Sequence, residues 1–374
     1  MSIVQLAGDL VAIDSVNPSL VDGGSGERSI ADFLATWLRR AGFDVEVTDV
    51  APGRPNVVAI AEGKRHGPTR LLCGHTDTVG VEGMDAPFQP VVRDGRLYGR
   101  GSQDMKGGLA AMLHAAAGWL AGDRRGAGRV IVAAVVDEEY ASLGADALAL
   151  RWRADEAVIT EPTDLAIGIG HKGFSCAEIT VHGRAAHGSR PREGKDAIFA
   201  MGRVLQRLEA LDAELQSRAA HPLVGVASLH AGRIHGGTEL SVYPARAVLE
   251  MERRTLPGEP VDVAARELAA IASEMATNDP DFRADVRLLL ARPAYETPRD
   301  ATVITHLAAA ARARLGEVRL EGTTFWTDAA ILGASGTPTV LFGPGGAGLH
   351  SIEEHVVIDD LSACADVLRA WLEG

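Results

Sequence analysis

Two histidines and six carboxylates of this 374-residue chain stand where they could hold cations and move protons, and five short segments carry them. Leu71-Leu72-Cys73-Gly74-His75-Thr76-Asp77 closes an apolar run with a histidine and an aspartate two apart, a spacing that shares one face of a strand. Tyr98-Gly99-Arg100-Gly101-Ser102-Gln103-Asp104-Met105-Lys106-Gly107-Gly108 sets four glycines and one Asp104 ahead of an Ala-rich helical stretch, where Asp104 could be a ligand or only a helix cap. The apolar run 130–136 ends in Asp137-Glu138-Glu139, three carboxylates that repel one another unless solvated or held by a dication. Val158-Ile159-Thr160 leads to Glu161, and Phe342-Gly343-Pro344-Gly345 leads through a glycine-rich turn to His350. Imidazole and carboxylate without thiolate suit a hydrolytic zinc, cobalt or manganese site. Two such ions would be balanced by Asp104 as a bridge, Glu139, Glu161 and a bridging hydroxide. Glu138, beside a ligand but on the other face of its strand, is left as a general base for water.

The elements that must position these groups read as an α/β protein. Residues 3–13 and 29–40 have helical spacing, and strand-like runs follow at 45–50, 57–61 and 71–73. Residues 107–120 form a buried Ala-rich helix, and the continuous apolar run 130–136 is a strand covered on both faces. All five segments are expected at strand ends of one sheet, where open α/β sheets place their sites. From 174 to 182 the pattern turns to alternation, and strand–helix–strand–strand–helix–strand follows to about residue 290, the split ferredoxin-like order. The expected architecture is a discontinuous α/β catalytic domain, residues 1–172 and 295–374, with a mixed sheet and helices on both faces. A smaller α+β domain, residues 173–294, is inserted in it.

Composition limits the alternatives. A net charge of −13 argues against a general nucleic-acid binder and against a protein held on an anionic membrane surface. No apolar run reaches the length of a membrane span, the N-terminus lacks a basic signal-peptide region, and three scattered cysteines fit a reducing cytoplasm. Two stretches, Gly168 to Gly173 and Gly343 to Gly348, match a dinucleotide-binding fingerprint, but neither opens a helix after a strand.

Together the segments GHTDTV, YGRGSQDMKGG, VVDEEY, TEPT, GRAAHGSRP, ERRTLPGE and GPGGAGLH resemble the dinuclear metallohydrolase family of acetylornithine deacetylase, succinyl-diaminopimelate desuccinylase, aminoacylase and glutamate carboxypeptidase. The resemblance runs over nearly the whole chain. It implies two divalent ions, zinc first and cobalt or manganese as alternatives. His75 and Glu161 would hold one ion, Glu139 and His350 the other, with Asp104 bridging and Asp77 orienting His75. It implies Glu138 as the base that deprotonates a bridging water, leaving metal-bound hydroxide as the nucleophile, and returns the proton to the leaving amine. His187, in GRAAHGSRP, is similar to a histidine that reaches the partner subunit's active site in dimeric relatives. Arg254 resembles an arginine that grips a substrate carboxylate. The inserted domain would thus be a dimerisation and lid domain. One departure stands out: Ser241 occupies a place where relatives usually carry asparagine, beside Tyr243. The implied activity is hydrolysis of the amide of a small N-acyl amino acid by a cytoplasmic homodimer with no nucleic-acid or membrane partner. A carboxypeptidase or dipeptidase of the same family is the alternative. A non-catalytic binding protein of this fold is a more distant one, since neither ligands nor base are missing.

Overall fold

The computed structural model describes residues 1–122 and 127–374. In chain order its strands are β1 (Asp44–Ala51), β2 (Arg54–Glu62), β3 (Arg65–His75), β4 (Val91–Arg93), β5 (Arg96–Tyr98), β6 (Ala127–Val135), β7 (Glu156–Ile159), β8 (Ile167–His171), β9 (Gly173–His182), β10 (Ser228–Gly236), β11 (Arg246–Thr255), β12 (Arg283–Arg292), β13 (Tyr295–Glu296), β14 (Leu320–Thr323), β15 (Thr339–Leu341), β16 (Gly346–Ala347) and β17 (His355–Val357). The chain divides into two compact units. One comprises Met1–Ile169, Thr297–Glu321 and Thr327–Gly374, the other Gly170–Glu296 and Gly322–Trp326.

The first unit is built on a mixed sheet in the order β1-β2-β6-β3-β7-β15-β8. Strands β6, β3, β7 and β15 run parallel, so their carboxyl ends open on one edge of the sheet. The apolar run in β6 is buried on both faces, as its continuity requires. Val130, Val132 and Ala134 join the main core, and Ile131, Ala133 and Val135 opposite them are equally inaccessible. Helix Gly107–Ala121 packs along the sheet and against helix Ile358–Glu373, burying Trp119 and Trp371. A second sheet, β16-β17-β5-β4, is antiparallel and made of very short strands. Cys73 and Cys364 are buried and Cys176 is partly buried, all three free.

At the amino end of β7 the buried Glu156 carboxylate accepts a hydrogen bond from Trp371 Nε1 (3.1 Å) and faces Arg70 Nε (3.4 Å) and His306 Nδ1 (2.6 Å). Burial raises its pKa, but Thr302, His306 and Arg70 outweigh that and hold it below the usual carboxylate range. The folded state therefore binds this proton less readily than the unfolded chain. The stabilisation is complete above the unfolded pKa and is lost as pH falls through the folded one. Glu156→Gln should accordingly flatten the acid limb of a stability–pH curve below about pH 5. An unchanged limb in urea titrations would refute that assignment.

The second unit carries one antiparallel sheet, β10-β11-β9-β12. Helices Ala197–Gln216 and Val263–Asn278 pack over one face through Met201, Val204, Leu208, Leu268 and Ile271. The first helix starts at Asp196, whose carboxylate caps the N–H groups of Ile198 and Phe199. The opposite sheet face is a charge ladder: Arg287 pairs Glu178 (2.9 Å), Arg233 pairs Glu250 and Arg254 pairs Glu252. Strand β10 is an edge strand, exposed from His230 onward. Among the described residues no helix is long and apolar enough to cross a membrane.

Candidate metal centre and active site

Three of the five segments sit where strand chemistry puts them, at the carboxyl ends of β3 (His75), β6 (Asp137, Glu138, Glu139) and β7 (Glu161); the fifth leaves the end of β15 at Phe342, but His350 itself lies between β16 and β17 of the small antiparallel sheet, contrary to expectation. Asp104 does not sit at an end of that sheet, contrary to expectation. Its loop follows β5 of the small antiparallel sheet, because the chain leaves the main sheet after β3 and returns only with β6. Nor does Asp104 cap the Ala-rich helix. It lies in a distorted turn ahead of it, at φ −118° and ψ 95°. The helix that follows touches the end of β7: a Cβ on Gly108 would lie 2.0 Å from the Thr160 carbonyl oxygen, so only glycine permits that approach.

These loops bring His75, Asp104, Glu138, Glu139, Glu161 and His350 together. Asp104 faces both imidazoles, with Oδ1 3.0 Å from His75 Nε2 and Oδ2 3.2 Å from His350 Nε2. Glu139 Oε2 lies 3.2 Å from His350 Nε2, and Glu161 Oε1 4.0 Å from His75 Nε2. Two overlapping groups have ligand atoms within 4.8 Å of one another: His75 with Glu138 and Glu161, and His75 with Asp104 and Glu139.

The electrostatics are those of carboxylates crowded in a buried site beside two imidazoles. Burial, and then the charge of Glu161, push the Glu138 carboxyl well above its usual range; burial also raises Glu161. Glu139 rises to about 7, through burial and then Asp104. The imidazoles compensate. Hydrogen bonds to Asp104 and Glu139 lift His350 to about 10, and for His75 the Asp104 bond with the Glu161 and Asp104 charges overrides burial. Metal ligation needs neutral imidazoles, so a bound cation would take the place of protons on these rings. Glu139 Oε1 is buried with no hydrogen-bond partner, the kind of orphaned acceptor that a cation satisfies. The donor set, two imidazoles and carboxylates without thiolate, fits two hard or borderline divalent ions.

Asp77 serves the site differently from a plain histidine partner. Its backbone carbonyl, 3.0 Å from His75 Nδ1, sets that ring, while its carboxylate is 3.6 Å away. The carboxylate instead accepts the backbone N–H groups of Glu138 and Glu139 (3.2 Å each) and the Asn17 amide (2.8 Å), fixing the turn that carries both glutamates. Asn17 also donates to Asp137 (3.1 Å), which pairs with Arg54 Nη1 at 2.7 Å, and Arg54 Nε donates to Glu27 at 2.9 Å. This buried chain from Glu27 to Asp77 gives no sequence signal, because its members are scattered single residues. Arg54→Met would leave two carboxylates buried and unpaired, and should lower stability by about 3–5 kcal/mol in urea unfolding. A loss below about 1 kcal/mol, the size expected of a surface pair, would show that the chain is dispensable.

His187 and Arg254 belong to the second unit. His187 is exposed, its strand-like bridge to Val242 holding the loop, and its Nδ1 accepts the Ser189 backbone N–H at 3.2 Å. In that loop the same Nδ1 lies 2.8 Å from Ser189 Oγ. Ser241 is next to it: its carbonyl accepts the Gly188 N–H at 2.7 Å. Arg254, half-exposed on β11, pairs with Glu252 and lies 6.0 Å over the Phe174 ring. Also unforeseen from sequence are Asp328, whose charge adds to the rise of Glu138 and Glu161, and Glu354, which holds the Asp104 loop.

The chain is 34% identical to the acetylornithine deacetylase of Myxococcus xanthus over 356 residues, covering 91% of this chain and 90% of that one. It is 32% identical to the succinyl-diaminopimelate desuccinylase of Methylobacterium radiotolerans, covering 99% and 96%. A tripeptidase structure from Staphylococcus aureus shares the fold with a TM-score of 0.83 at 22% identity, covering 99% and 97%. The family model described as peptidase family M20/M25/M40 matches residues 71–374, and the chain belongs to that family of hydrolases.

Proposed function

We propose that this protein is a two-metal hydrolase that removes the N-acyl group from an amino acid bearing a free carboxylate. The observation that carries the proposal is the placement of Asp104, which turns one carboxylate oxygen to each of two imidazoles while Glu138 stands beside them. His75 and Glu161 would hold one ion, and Glu139 and His350 the other. Zinc is the proposed metal, with cobalt or manganese as alternatives. The bound ions supply Lewis acidity toward water and the amide carbonyl. Glu138, half-buried beside His75 and Glu161, takes a proton from water and delivers it to the leaving amine. The His187 imidazole supports the oxyanion, and Arg254 grips the substrate carboxylate in a bidentate pair, exchanging it for Glu252.

The second unit would act as lid and as dimerisation domain of a cytoplasmic homodimer, residues 173–294 being its proposed bounds. The long exposed edge of β10 and the 75%-exposed Phe199 support self-association. The relatives named as deacetylase and desuccinylase support the deacylase reading. A panel of acetylated and succinylated amino acids and dipeptides, assayed with zinc- and cobalt-loaded protein, tests it. Turnover of dipeptides alone would reject deacylation in favour of a peptidase.

A further inference from the structure

Glu354 comes four residues after His350 and immediately before β17. Strand β17 pairs antiparallel with β5, His355 opposite Tyr98, so Glu354 lies against the chain where β5 runs on into the Asp104 loop. The Gly99 N–H donates to its carbonyl at 3.2 Å. Its side chain is 1% exposed, yet four donors converge on the carboxylate. Oε2 accepts from Arg100 Nη1 (2.6 Å) and the Gly101 N–H (2.9 Å). Oε1 accepts from the N–H groups of Gln103 (2.9 Å) and Asp104 itself (3.0 Å). The loop can wrap one carboxylate this closely because Gly101 adopts φ 76°, and a Cβ there would meet Thr78 Cγ2 at 2.7 Å.

The Asp104 backbone is thereby fixed by a residue on the same segment as His350, while its side chain is shared between His75 and His350. We infer that Glu354 is a positioning residue that aims the Asp104 carboxylate and couples the two metal positions. The inference rests on the two-metal reading of the cluster. Without the clamp, Asp104 could still turn to His75, whose strand is held between β6 and β7. The pairing of Asp104 with the His350 loop would be lost, so the second ion should suffer more than the first.

Metal-stripped wild type, Glu354→Gln and Glu354→Asp are titrated with cobalt(II) by calorimetry and visible absorption, with thermal unfolding of each stripped protein in parallel. Glutamine keeps the size but turns an amide donor toward backbone donors; aspartate keeps the charge but reaches less far. The expected result for Glu354→Gln is a first cobalt bound within about threefold of wild type and a second bound about 10–100-fold more weakly, as when an outer partner of a ligand is lost. Its kcat falls in the same range with KM nearly unchanged, and Glu354→Asp, or if glutamine prevents folding Glu354→Asp alone, shows a smaller selective loss at the second ion. Wild-type affinities and spectra for both ions in these variants overturn the inference and leave the two-metal reading intact. Equal losses at both ions that track the loss of thermal stability also overturn it, since a purely structural role predicts them. Fewer than two cobalt ions bound by wild type overturns the two-metal reading and this inference together.

Discussion

Glu138→Gln should lower kcat by about 10²–10⁴-fold, the contribution typical of a positioned general base, while both metal ions remain bound. Glutamine fills the same space beside His75 and Glu161 but cannot accept a proton from water. The residue is placed for the role by two features. Asp77 and the β6 strand end fix its backbone, through the 3.2 Å bond from the Glu138 N–H to Asp77 Oδ1. Burial, followed by the charges of Glu161, Asp328 and Glu139, disfavours its ionised form, whereas the His75 charge opposes them. Near-wild-type turnover with intact metal content would remove Glu138 from the mechanism.

Asp104→Asn should be more disruptive to the centre. An amide offers one oxygen where two are used, so one of the two imidazole-facing contacts, at 3.0 Å to His75 or 3.2 Å to His350, must become an N–H group that cannot ligate a cation. The stripped variant should take up at most one ion, measured by mass spectrometry of metal content. Its activity should fall by more than the ~10–100-fold that loss of an outer partner costs. Two tightly bound ions in Asp104→Asn would show that this carboxylate is not the bridge.

The parts of the fold legible in the sequence are those written in runs and periods. The unbroken apolar stretch of β6 demands cover on both faces, and the alternation of Phe174 to His182 marks a strand with one solvated face. Positions of His75, Glu138, Glu139 and Glu161 are legible for the same reason, since each stands at or within four residues of the end of an apolar strand. The small sheet of β4, β5, β16 and β17 is not, because two- and three-residue strands carry no period and Val91 and Val92 are exposed. That is why the expectation of a single sheet fails at Asp104 and His350, whose loops belong to the small one. Glu354 and Arg54 are illegible for a different reason. A buried carboxylate and a buried guanidinium look like surface charges until the backbone donors and partner carboxylates that surround them are known.

Hydrolysis of an N-acetyl amino acid by metal-stripped protein, followed as zinc or cobalt is added back, tests the central claim most directly. The stripped protein should be inactive, and activity should return and level off by two bound equivalents. Undiminished hydrolysis after all metal has been removed would contradict the account.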